Sequence, residues 1–159
     1  MHNNYVYIKI PSLSVNESFA RAAVAAFCSS LNPTMNEISD IKTAVSEAVT
    51  NAVVHAYEDE IGEIEIQCRI KGQVVEIIVE DFGCGIADVE KAREPLFTTR
   101  PELERSGMGF SVMESFMDDL VVLSEKDVGT KVILRKKISE KKLKILNEES
   151  DDESSEDEE

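Results

Sequence analysis

One segment limits the folds open to this chain more than any other. Thr34-Met35-Asn36-Glu37 places a hydroxyl three residues ahead of a carboxylate, so that each can satisfy an unpaired N–H at the start of a helix. Ile38, Ile41, Val45, Ala48 and Ala52 then recur at helical spacing, which predicts a helix of about five turns reaching Tyr57. Asn32-Pro33 closes a preceding helix, for which Ser14-Val15-Asn16-Glu17 reads as a second capping pair. Phe19, Ala22, Ala23, Ala26 and Phe27 supply its stripe as far as about Leu31.

Helices with one apolar face need a layer to pack against, and the remaining segments supply strands. Residues 5 to 10 place Val6, Ile8 and Ile10 on one face and end at Pro11. Residues 63 to 70 and 74 to 80, joined at Lys71-Gly72, read as a hairpin. Residues 120 to 124 and 131 to 134 read as two more strands, and 110 to 116 as a short helix. The expected fold is an α/β (α+β) two-layer sandwich. A mixed, largely antiparallel sheet of about four or five strands carries helices on one face.

The chain has 159 residues, 42% of them apolar, enough for one globular unit. Residues 1–138 are read as that unit, and 139–159 as a charged tail expected to be disordered. The formal charge is -15, and nine of the 32 acidic residues fall between Glu148 and Glu159. Such an excess opposes binding to a phosphate backbone, so no direct nucleic-acid partner is expected. The basic stretch Arg135 to Lys144 is a candidate electrostatic partner for the tail. No apolar run approaches the roughly 20 residues of a membrane span, and the first residues lack the pattern of a signal peptide. A cytoplasmic location is expected. Cys28, Cys68 and Cys84 are odd in number and form no CxxC pair, which fits reduced thiols without a metal role.

Between Asp81 and Gly109 the sequence turns loop-like, and long connections inside compact domains are commonly functional. Gly83-x-Gly85 follows a strand and Gly107-x-Gly109 precedes a helix. Without Cβ, such glycines can let backbone N–H groups approach an anion, and the following helix adds unpaired donors, so a polyphosphate is a candidate ligand. Neither doublet completes a dinucleotide fingerprint, and no P-loop is present. On the long helix, Glu47, Asn51 and His55 recur every four residues and stack on one face. Taken alone, that stripe also reads as an exposed helix face. His55 reads as a packing or hydrogen-bonding residue, and Met108, Met113, Met117, Phe110 and Phe116 as lid and core packing.

The combination of Glu47 and Asn51 one turn apart, Asp81-x-Gly83-x-Gly85, Gly107-x-Gly109 and Gly129-Thr130 resembles the ATP-binding domain of gyrases, ninety-kilodalton heat-shock chaperones, histidine kinases and mismatch-repair ATPases. Within that superfamily, residues 5 to 135 resemble the stand-alone anti-sigma-factor serine kinases. The most telling stretches are Ser46 to Tyr57, Asp81 to Ile86 and Pro95 to Phe110.

The resemblance implies a Bergerat-type ATP-binding fold and ATP or ADP held with Mg²⁺. Asn51 would be the metal ligand and Glu47 the general base. Asp81 would accept from the adenine amino group, with Gly83 and Gly85 in its loop, Gly85 leaving room for the ring, and Thr130 supporting the same edge. Thr98, Thr99 and Arg100 would lie in a lid, while Arg105, Ser106, Gly107, Met108 and Gly109 would border the phosphates. Of the two arginines, Arg105 is favoured as the cation for γ-phosphoryl charge, the alternative being a surface ion pair with Glu102 or Glu104.

As partners, the resemblance implies a sporulation sigma factor of the sigma-F type and an anti-anti-sigma protein phosphorylated on serine. A homodimer is also implied, with the strand at residues 5 to 10 and the helix bearing Glu17 and Arg21 as contact surfaces. Two other readings stay open. One is a non-catalytic, nucleotide-gated sigma-binding module, and the other an ATPase whose nucleophile is water.

Overall fold

The structure is a computed structural model that describes residues 3–95 and 109–140. Five strands form one sheet in the order β1-β2-β3-β5-β4, with β1 Asn3–Pro11, β2 Glu63–Lys71, β3 Val74–Asp81, β4 Asp119–Glu125 and β5 Gly129–Lys137. All four described ladders are antiparallel, so the sheet contains no parallel pair among the described residues. The helices are α1 Asn16–Cys28, α2 Met35–Asn51, α3 Val89–Ala92 and α4 Gly109–Phe116.

Strand alternation sorts the sheet's faces. Ile64, Ile66, Cys68 and Ile70 of β2, Val75, Ile77 and Val79 of β3, and Val132 and Leu134 of β5 are buried in one core with Ile41, Ala44, Val45, Ala48 and Val49 of α2. The opposite face carries ion pairs, including Arg135 with Glu76 at 2.7 Å and with Asp119 at 2.8 Å. One face therefore meets helices and the other meets water, as antiparallel sheets permit. Arg135 is spent on that face, and Lys136 donates to the Phe116 carbonyl at 2.7 Å.

The capping pair at Thr34 forms as read. The Glu37 N–H donates to Thr34 Oγ1 at 3.2 Å and the Thr34 N–H donates to Glu37 Oε2 at 2.8 Å. Glu37 also accepts from the Ser139 N–H and hydroxyl, at 2.8 and 2.6 Å, which ties the exit of β5 to the start of α2. These donors, Ser139 first, hold the Glu37 carboxyl down at about 2. Ile138, just before, is fully buried.

The corresponding pair at Ser14 does not form. Val15 already has helical dihedrals and no side chain caps α1; the backbone carbonyls of Leu13 and Ser14 accept from Asn16 and Glu17 instead. A capping box needs an extended residue at the cap, and the tight turn after Pro11 leaves none. The helix is also rolled relative to its expected stripe. Ala20, Val24 and Cys28 are buried and Phe27 packs partly against the core, while Phe19 stays 53% exposed. Met113, Met117 and Phe110 are core residues as expected, but Phe116 is exposed. Among the described residues no helix is long and apolar enough to cross a membrane.

Candidate functional site

A cavity of about 540 Å³ opens between α2 and the sheet, lined by apolar Ala52, Val79, Ile86 and Val132 and by polar Asn51, Asp81 and Thr130. Asp81 ends β3 and stands opposite Thr130 in the ladder with β5. It is only 8% exposed. Its Oδ1 accepts from the Gly83 N–H at 3.1 Å, and the Thr130 backbone also favours the charged form. Burial outweighs both and pushes the carboxyl up to about 6. A buried carboxylate with spare acceptor capacity is a receptor for an N–H donor on a ligand.

A second polar pair stands at the crossing of α2 and α4. Glu47 and Asn51 lie one turn apart on α2, and Gly109 of α4 is buried against them. A Cβ at position 109 would stand 3.3 Å from both Glu47 Oε2 and Asn51 Oδ1. Glycine therefore lets α4 approach until a carboxylate and an amide oxygen converge beside the cavity. Directly after Asn51, residues Ala52–Ala56 form a π turn, a feature frequent at functional sites. His55, within that turn, lines the cavity together with Asn51.

Three backbone N–H groups of the first glycine loop are engaged within the fold. The Gly83 N–H goes to Asp81, the Cys84 N–H to the Ala56 carbonyl at 2.7 Å, and the Ile86 N–H to Ser124 Oγ at 2.7 Å. Glycine is needed because the loop lies against backbone. A Cβ on Gly83 would come within 2.0 Å of the Ala56 oxygen, and one on Gly85, at φ +69°, within 2.0 Å of the Glu125 oxygen. Gly85 also lines the cavity. The loop is built to hold Asp81 in place.

Comparison with known proteins fits this geometry. Residues 10–136 match the model of the histidine kinase-like ATPase domain. The anti-sigma F factor of Clostridium novyi is 58% identical over 139 residues, covering 87% of this chain and 97% of that protein. Those of Clostridium kluyveri and Geobacillus sp. are 55% and 54% identical, over 86% and 87% of this chain and 96% of each relative.

The chain belongs to the anti-sigma F factor family, within the histidine kinase-like ATPases.

A histidine kinase-like ATPase domain implies nucleotide binding, and the residues expected to serve it are placed as follows. Glu47, Asn51, Asp81, Gly83, Gly85, Gly109 and Thr130 surround it or support its walls. Thr98, Thr99, Arg100, Arg105, Ser106, Gly107 and Met108 lie outside the described residues. Among the described residues no group of three or more His, Cys, Asp or Glu is placed to hold a metal ion. The donor set fits Mg²⁺ all the same, because that ion takes hard oxygen ligands and usually draws most of them from water and phosphate. The Asn51 amide oxygen, with the Glu47 carboxylate beside it, offers such a foothold.

Three residues support the site from outside the expected set. Tyr57 donates to the Glu63 carbonyl and accepts from the Phe82 N–H at 2.9 Å, clamping the end of the helical segment to the Asp81 loop. Ser124 bonds to both the loop and Thr130. Lys91 brings a positive charge to the cavity wall. Cys28 and Cys68 are buried with thiols pushed up to about 12, and Cys84 donates to the His55 carbonyl at 3.1 Å. All three read as structural.

Proposed function

We propose that the 1–138 unit is a Mg-ATP-dependent protein serine kinase that also binds the sporulation sigma factor sigma-F and holds it inactive. Its substrate is a serine of the anti-anti-sigma protein that opposes it. The observation that carries the reading is the convergence of Glu47 and Asn51 at Gly109, beside a cavity whose far wall holds the buried Asp81. The names of the relatives support the sigma-factor role.

In this reading Asp81 accepts from the adenine amino group and Thr130 supports the same edge, while Asn51 holds Mg²⁺ against the triphosphate. The metal, when bound, neutralises charge on the phosphate oxygens. Glu47 takes the proton of the incoming serine hydroxyl as its oxygen bonds to the γ-phosphorus and the bond to the β–γ bridging oxygen breaks, releasing ADP. Thr98, Thr99, Arg100, Ser106, Gly107 and Met108 belong to the lid and phosphate border, with Arg105 as the cation for the transferring group.

The chain acts in the cytoplasm as a homodimer. The edge strand β1, with Tyr5 79% exposed, and the face of α1 bearing Glu17 and Arg21 are the contact surfaces. Incubation with γ-labelled ATP, sigma-F and the anti-anti-sigma protein tests the proposal. Label on a serine of the anti-anti-sigma protein is expected. Nucleotide-dependent sigma-F binding without label would leave a nucleotide-gated binding module, and phosphate release to water an ATPase.

A further inference from the structure

Alternation along β5 puts position 136 on the helix-facing side of the sheet, in line with Val132 and Leu134, which are buried there. A lysine occupies it all the same. Its side chain is 11% exposed; the ammonium donates to the Phe116 carbonyl at 2.7 Å and lies 3.4 Å from the Asp40 carboxylate. A charge held there gives up hydration that an apolar side chain of similar length would not need, so stability alone does not account for it.

The two partners of Lys136 belong to two helices. Phe116 ends α4 and Asp40 lies in α2. At the other end of α4, Gly109 abuts Glu47 and Asn51 of α2. Asp40 precedes Glu47 by the same span that separates Gly109 from Phe116, about two helical turns. The helices therefore pass each other in opposite senses with two matched contacts, Lys136 at one end and the Glu47–Asn51 pair at the other. Between those ends α4 packs through Phe110 and Met113. Apolar contact is non-directional and methionine adapts its shape, so it fixes which face α4 buries better than where α4 stands along α2. The hydrogen bond to the Phe116 carbonyl is directional and sets that place.

We infer that Lys136 is a positioning residue that fixes α4 along α2 and so holds Gly109 against Glu47 and Asn51. This rests on the reading of Glu47 as the base of phosphoryl transfer. Lys136 does not line the cavity, so it reaches the reaction only through α4.

The test compares wild type with Lys136→Met, which keeps a stem of similar length and loses the ammonium, in the full chain and under conditions where circular dichroism shows both folded. Transfer of label from saturating ATP to the anti-anti-sigma protein is expected to fall at least about tenfold. The ATP dissociation constant measured by calorimetry is expected to change little, because the wall around Asp81 is untouched. Adding Lys136→Met to Gly109→Ala is expected to cost no rate beyond that of the slower single variant, since both act on one contact. Should Lys136→Met fail to fold, Lys136→Gln, shorter and uncharged, decides by the same readings. Wild-type transfer in a folded Met or Gln variant, equal losses of rate and affinity, or losses that multiply in the double variant would overturn the role of Lys136 while leaving the kinase reading standing. Absence of transfer in wild type would overturn the kinase reading and this inference with it.

Discussion

Asp81 and Thr130 face each other across the β3–β5 ladder and both line the cavity, so a carboxylate and a hydroxyl meet on one wall of an otherwise largely apolar pocket. Burial raises the Asp81 carboxyl from 3.8 to about 6. Its ionised form therefore costs the folded state about 3 kcal/mol above that pH, a cost relieved as pH falls through 6 and gone below 4. Wild type should gain stability relative to Asp81→Asn between pH 7.5 and 4, measured as urea midpoints. A difference that does not vary with pH would contradict the burial argument.

Glu47→Gln keeps the shape of the side chain and removes the base. Phosphoryl transfer should slow by about 10²- to 10⁴-fold, while the dissociation constant for ATP changes little. Rapid-quench assays with labelled ATP measure the first and calorimetry the second. Transfer at the wild-type rate would remove Glu47 from the mechanism.

Gly109→Ala should separate stability from activity. Position 109 opens α4 without a positive φ, so alanine costs no backbone strain there, and the atoms its Cβ would crowd are side-chain ends that can move. The apo protein should therefore be at least as stable as wild type. Moving Glu47 and Asn51 apart should nonetheless cut transfer at least about tenfold, given how steeply rates depend on placement. Unimpaired transfer would show that their convergence at Gly109 is incidental.

Gly83→Ala should do the opposite and strike the fold, because its Cβ would overlap the Ala56 backbone carbonyl. A loss of about 3 kcal/mol is expected in urea denaturation. A stability equal to wild type would mean that the loop does not need this close approach.

Much of the scaffold was legible because its signals are local. Thr34 and Glu37 cap α2 through contacts three residues apart, and the strand alternation of β2 and β3 announces their buried face. Glu47, Asn51 and Asp81 were legible as candidates through spacing and family resemblance. What escaped depends on long-range contacts. The roll of α1 that exposes Phe19 is set by the core it meets, and Ser14 loses its cap to the turn after Pro11. Ser124 meets Ile86 across 38 residues, and Ser139 meets Glu37 across 102, which no periodicity records. The spacing of the first glycine doublet signals a close approach but not its partners, which include the backbone of Ala56 and Glu125.

The most direct test of the account is calorimetric titration of wild type and Asp81→Asn with ATP in physiological magnesium. The account predicts saturable binding at one site per chain in wild type and an affinity at least about tenfold weaker in the variant, from loss of a hydrogen bond to a charged group. Equal affinity in the two proteins, or no binding in wild type, would contradict it.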